Sequence, residues 1–137
     1  MATQGKSDPR LTPLETLIMN VLWDESPAAV KQVQERLTAV KPLAYNTVLT
    51  VMRILRDKGF VASERAGRSD LYRPVVTREA MGRRSLGDVI NSFFAGSAEA
   101  LVSQLLDGQS LTDEELTAIR AELDRTLERR SRKGDQR

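Results

Sequence analysis

Asn46, Thr47, Thr50 and Arg53 stand at helical spacing in the segment AYNTVLTVMRILRDKGFV, residues 44–61. Asn pairs bidentately with adenine, and Arg takes guanine or a phosphate. Thr offers a hydroxyl to either partner and a methyl to thymine. The opposite side of the same segment, Val48, Val51, Met52 and Leu55, is apolar and keeps the same period. A helix that buries one face and presents these groups on the other suits a major groove ~12 Å wide. Its N-terminal residues, Asn46, Thr47 and Thr50, are the first expected at base edges, with Arg53 one turn deeper. The plain alternative is a solvated face, although Asn and Thr are mediocre helix formers. Beyond the Lys58-Gly59 stop, Arg65 and Arg68 flank a glycine between two strand-like runs. There they can neutralise phosphate or enter a minor groove, or be ordinary surface charges. Arg56 and Lys58 read as phosphate contacts or solvated charges.

The elements that must position these groups follow from local signals. LTPLETLIMNVLWDE opens a helix with Thr12 as N-cap, Pro13 at N1 and Glu15 at N3, a capping box. Leu14, Leu17, Ile18, Val21 and Leu22 form its apolar face. Ser26-Pro27 restarts the chain as a second helix, about 28–40, with Val30, Val33, Leu37 and Val40 inside, ended by Lys41-Pro42. FVASERA (60–66) and DLYRPVV (70–76) read as strands joined at GRS. Helix, helix, helix, hairpin is the order of a winged helix-turn-helix, with the hairpin as wing. Trp23 and Tyr45 read as core or helix-packing residues.

Composition removes several function classes. The chain has 137 residues, with no cysteine and no histidine. Disulfide frameworks and thiolate metal sites are thereby excluded, as are Ser-His-Asp and Cys-His nucleophiles. No cofactor is expected, and the missing catalytic types argue against an enzyme. No apolar run approaches the ~18 residues of a membrane span. The start MATQGKSDPR lacks an apolar h-region, so no signal peptide and no membrane partner are expected, and a cytoplasmic protein is the default. Net charge is only +2, but residues 41–73 carry seven basic and three acidic residues, whereas 77–137 carry ten basic and eleven acidic. The basic half is therefore the half with the Asn/Thr face, as a polyanion-binding module requires.

From Thr77 the pattern is helical. Val89, Ile90, Phe93 and Phe94 share a stripe after Leu86. Leu101 and Leu105 continue it beyond Gly96-Ser97, and Leu116, Ile119, Leu123 and Leu127 follow a second capping box, Thr112 with Glu115. Three helices of one stripe each make a marginal unit alone, so a second copy is expected to bury them, and the Phe93-Phe94 pair reads as dimer core rather than a ligand box. The expected layout is a frayed 1–10, a winged-helix DNA-binding domain over 11–76, a helical dimerisation domain over 77–130, and a basic disordered tail over 131–137.

LETLIMNVLW, VKQVQERL, LAYNTVLTVMRILRDKGFV and GRSDLYRPVVTRE together resemble the penicillinase repressor family, the BlaI/MecI/CopY group, over about Leu11 to Leu127. The most specific element is Tyr-x-Thr-Val-x-Thr-Val at 45–51. The resemblance implies a mainly α chain with a small β-hairpin, an N-terminal winged helix followed by a C-terminal three-helix dimerisation region. It implies a homodimer that represses transcription from a palindromic double-stranded DNA operator, of β-lactamase or related stress genes. It places Asn46, Thr47, Thr50 and Arg53 on the recognition helix and Arg65 and Arg68 on the wing. The copper-responsive branch of the family binds metal through Cys-x-Cys pairs, and this chain has no cysteine. In the antibiotic-resistance branch a regulatory protease cuts an Asn-Phe bond, which aligns here with Gln104-Leu105. Two other readings remain: a winged helix used for protein–protein binding, and a DNA-binding regulator gated by a small molecule.

Overall fold

The computed structural model describes residues 10–108 and 110–135. Apart from Arg10, the expected frayed start lies outside the described residues, as do the last two positions of the expected tail. The elements are α1 (Pro13–Asp24), α2 (Val30–Leu37), α3 (Tyr45–Asp57), β1 (Val61–Ala66), β2 (Ser69–Pro74), α4 (Arg78–Phe93), α5 (Ala98–Asp107) and α6 (Asp113–Asp135). The chain is thus mainly helical with one antiparallel hairpin, a winged helix-turn-helix followed by further helices, as expected. It divides into two compact units, Met1–Asp88 and Val89–Arg137.

In the first unit α1 begins as its sequence dictates. Thr12 Oγ1 accepts from the Glu15 amide at 3.1 Å, and Glu15 Oε1 accepts from the Thr12 amide at 2.8 Å. Ile18, Met19 and Leu22 of α1, Val33 and Leu37 of α2, and Val48, Met52 and Leu55 of α3 form a closed core with Phe60, Val61 and Tyr72. Glycine sets the end of α3. Gly59 adopts φ +88, its amide donates to Arg56 O, and the Phe60 amide reaches back to Leu55 O at 2.9 Å. This is a Schellman motif, with the side chains of Phe60 and Leu55 both buried beside it.

The second helix is shorter than its sequence pattern. Ala28 is extended and exchanges two backbone hydrogen bonds with Tyr72, at 2.9 and 2.8 Å, which adds a bridge to the hairpin as a third, minimal strand. At the other end the Val40 and Lys41 amides both turn back onto Leu37 O, so the helix closes and Val40, expected inside, is 70% exposed.

In the hairpin, Val61 faces Pro74 and Ala66 faces Ser69, leaving a two-residue turn of Gly67 and Arg68. Gly67 has φ +64 at the first central position, which suits a tight hairpin turn of primed type. β1 thus starts one residue later than the sequence suggests, β2 starts one residue earlier and ends two earlier, and the turn is one residue shorter. Tyr72 is fully buried, yet its hydroxyl has no hydrogen-bond partner among the described residues. A desolvated, unpaired hydroxyl costs about 1–3 kcal/mol. Tyr72→Phe is therefore expected to leave stability unchanged or raise it by about 1 kcal/mol in urea unfolding, and a clear loss would reveal a partner for the hydroxyl.

The first unit extends beyond Val76, where the sequence places the domain boundary, through the first turns of α4. Met81 joins the core at 5% exposure. Arg78 pairs with Asp24 at 2.9 Å and lies over the Trp23 ring at 5.4 Å, while Trp23 Nε1 donates to Val76 O at 2.9 Å. Trp23 thus packs α1 against the start of α4, as a helix-packing residue. Lys58, expected at phosphate or in solvent, is a structural cation. Its Nζ contacts both carboxylate oxygens of the buried Glu15, at 3.0 and 2.9 Å, and ties the end of α3 to the start of α1. Arg56 donates to Ser63 Oγ at 3.0 Å.

In the second unit the turn after α4 uses Ala95 at φ +51 and Gly96 at φ +81. Ser97 Oγ caps α5 by accepting from the Ala100 amide at 3.0 Å, and Thr112 with Glu115 forms the expected reciprocal cap on α6. That last helix runs to Asp135, past the expected end near 130. Residues 131–133 are helix formers or neutral, and Arg132 and Lys133 in the last turn complement the helix dipole. No described residue from Val89 onward is buried. Phe93 is 79% exposed, Leu123 59% and Leu127 60%. No single helix among the described residues is long and apolar enough to cross a membrane.

Candidate nucleic-acid interface

The candidate interface is built on α3. Val48, Val51, Met52 and Leu55 are buried on its inner face, so register leaves Asn46, Thr50 and Arg53 outward within an arc of roughly 60° at 100° per residue. All three are exposed, as is Thr47 on the flank. The helix is held at both ends. Gln34 Nε2 donates to Leu43 O at 3.0 Å and pins the turn between α2 and α3, and the Schellman motif fixes the exit toward the wing. Ala44 supplies no side-chain cap to the first turn of α3.

A cleft of about 200 Å³ runs between the start of α2, the side of α3 and the wing. Arg53, Arg65 and Arg68 line it together, so three of the six sequence-predicted site residues meet there. Asn46, Thr47 and Thr50 do not line the cleft and remain on the outward surface of the helix. Lys31 and Tyr45 line it as well, and sequence reasoning missed both. Tyr45, expected in the core or in helix packing, is 47% exposed at the first position of α3. Lys31 was hidden by the assumed start of α2 at 28, which places it inside a helix. The true start at Val30 puts it in the first turn.

Charge at this surface is poorly compensated from within. Arg65 Nη1 lies 3.4 Å from Asp70 Oδ1. The side chains of Lys31, Arg53 and Arg68 make no hydrogen bond or ion pair with any described residue. Helix starts sharpen the contrast. Glu15 opens α1, Glu79 α4, Glu99 α5, and three acids open α6, but α2 and α3 have no acid in their first turns. The positive ends of the two helices that border the cleft are thus left unneutralised.

Comparison with known proteins agrees with the resemblance read from the sequence. The model of the family described as "Penicillinase repressor" matches residues 11–125. The transcriptional regulator BlaI of Mycobacterium tuberculosis is 41% identical over 73 residues; the alignment covers 53% of each chain, so this chain spans about half the length of that relative. The penicillinase repressor of Bacillus licheniformis is 23% identical over 114 residues, covering 83% of this chain and 89% of the relative. Among solved structures, the Bacillus licheniformis BlaI monomer in complex with the blaP half-operator aligns with 52% of this chain and 87% of its own, at 24% identity and a TM-score of 0.45. On the strength of the family match across most of its length, the chain belongs to the penicillinase repressor family.

Proposed function

We propose that this protein is a sequence-specific DNA-binding transcriptional repressor that acts as a homodimer on a dyad operator, by excluding polymerase from a promoter. The observation that carries the reading is the outward face of α3. Asn46, Thr50 and Arg53 stand free on a helix whose other face is locked into the core, beside a cleft lined by four cations. In this reading Asn46, Thr47 and Thr50 contact base edges, and Arg65 and Arg68 on the wing hold the flanking backbone or minor groove. Operators of β-lactamase or related stress genes are the first candidates, by analogy with the penicillinase repressor among its relatives.

The second unit supports the dimer. Its Leu116, Ile119, Leu123 and Leu127 form one stripe along α6, each at least 37% exposed, and Val89, Phe93 and Leu105 are exposed on α4 and α5. Ile90, Phe94 and Leu101 are half-buried beside them. A second copy of the same stripes removes this surface from water, and two reading heads then meet half-sites about one helical turn, or a small multiple, apart. The Gln104-Leu105 bond, aligned with the family's protease-sensitive position, lies inside α5 on the same unit.

Single substitutions test the readout. Asn46→Ala and Thr50→Ala are each expected to cost about 1–3 kcal/mol on the specific site and little on random DNA. Titration of both DNAs by fluorescence anisotropy measures this. Equal weakening on the two would assign these side chains to the backbone and remove them from base reading.

A further inference from the structure

The geometry points to a phosphate clamp in the cleft between α2, α3 and the wing, in which Lys31 and Arg53 join Arg68 on the DNA backbone, so that Arg53 positions the helix rather than reading a base. The inference rests on the DNA-binding reading above and assigns a role within that surface.

Three observations carry it. The cleft gathers Lys31, Arg53, Arg65 and Arg68 from three separate elements, against a single carboxylate, Asp70, which is 3.4 Å from Arg65. Like charges converging on about 200 Å³ repel one another, and Lys31, Arg53 and Arg68 have no counter-charge among the described residues. The field is favourable only when an anion enters. Lys31 also sits in the first turn of α2, where the positive helix end disfavours a cation and the chain places no acid. An anion at this point gains from the lysine, the arginines and the helix end at once. Tyr45 and Leu49 supply apolar lining between the cations. A sugar–phosphate backbone offers both surfaces, the anionic phosphate and the apolar face of the deoxyribose.

Arg53 is the residue whose role this changes. Its position on α3 admits a base or a phosphate. It lines the cleft with the wing arginines, whereas Asn46, Thr47 and Thr50 lie outside it. The division of labour is therefore along the helix surface: base reading on the Asn46–Thr50 side, backbone grip on the Tyr45–Leu49–Arg53 side.

Salt dependence on a mixed-sequence duplex reads this without knowledge of the operator. Lys31→Ala and Arg53→Ala are each expected to flatten the slope of log K against log salt by about 1, and the double variant by about 2. Arg36→Ala, on the same helix but outside the cleft and 3.5 Å from Glu25, is the control with an unchanged slope. Lys31 is exposed and makes no side-chain contact with a described residue, so circular dichroism of Lys31→Ala should match the wild type. A wild-type slope retained by Lys31→Ala overturns the clamp alone. Arg53→Ala that keeps the wild-type slope removes Arg53 from the clamp and returns it to base reading. Absence of salt-dependent binding by the wild type overturns the DNA reading and the clamp together.

Discussion

Leu123→Asp is expected to convert the proposed dimer to a monomer and to lower affinity for a two-fold operator by about 10²–10⁴-fold. Leu123 lies near the middle of the α6 stripe, between Ile119 and Leu127, and 59% of it is exposed on the single chain. The unit from Val89 onward has no buried described residue of its own, so its stability must come from what covers these stripes. An aspartate in a stripe of leucines and isoleucine has to be desolvated when the stripe is covered, which burying a charge makes costly. The winged helix is a separate compact unit and should keep its fold, so binding to one half-site survives while the gain from linking two is lost. Sedimentation gives the assembly state and anisotropy gives the affinity. A variant that remains dimeric would place the interface elsewhere than α6.

Lys58→Ala is expected to destabilise the winged helix by about 2–3 kcal/mol. The Glu15 side chain is 5% exposed, and its two oxygens accept from Lys58 Nζ at 3.0 and 2.9 Å. Removing the lysine leaves a buried carboxylate held, among the described residues, only by the Thr12 amide of the capping box. Breaking a fully buried pair costs about 3–5 kcal/mol. Lys58 is 27% exposed, so water reaches the vacated position and the lower figure is appropriate. Glu15→Gln in the Lys58→Ala background should recover much of the loss, because glutamine keeps the cap and removes the charge. Urea unfolding separates the three variants. If the single lysine variant unfolds at the wild-type midpoint, the pair is a surface contact and α1 is not anchored through it.

The first and last helix caps were legible because Thr-x-x-Glu is a local pattern that needs no partner from elsewhere in the chain. The end of α3 was legible for the same reason, since Gly59 supplies the left-handed residue and Phe60 the apolar contact within one turn. The errors share the opposite property. Ala28 leaves α2 because Tyr72, far along the chain, takes its backbone groups. Lys58 leaves the phosphate-facing set because its partner is Glu15, 43 residues earlier. Arg78 and Met81 pack on α1 and the core, contacts that periodicity does not show. The candidate site was half legible. The polar face of α3 follows from helical spacing alone, whereas the grouping of Arg53 with the wing and with Lys31 needs the fold that brings α2, α3 and the hairpin around one cleft.

The central claim, a dimeric repressor that reads a two-fold operator, is tested most directly by footprinting the purified protein on the intergenic DNA upstream of its own gene, at moderate salt with competitor DNA. The account predicts a protected site with two-fold symmetry and half-sites about one helical turn or a small multiple apart, lost in Thr50→Ala and reduced to weak half-site protection in Leu123→Asp. Diffuse protection that competitor DNA abolishes, there and across a library of genomic fragments, would contradict it.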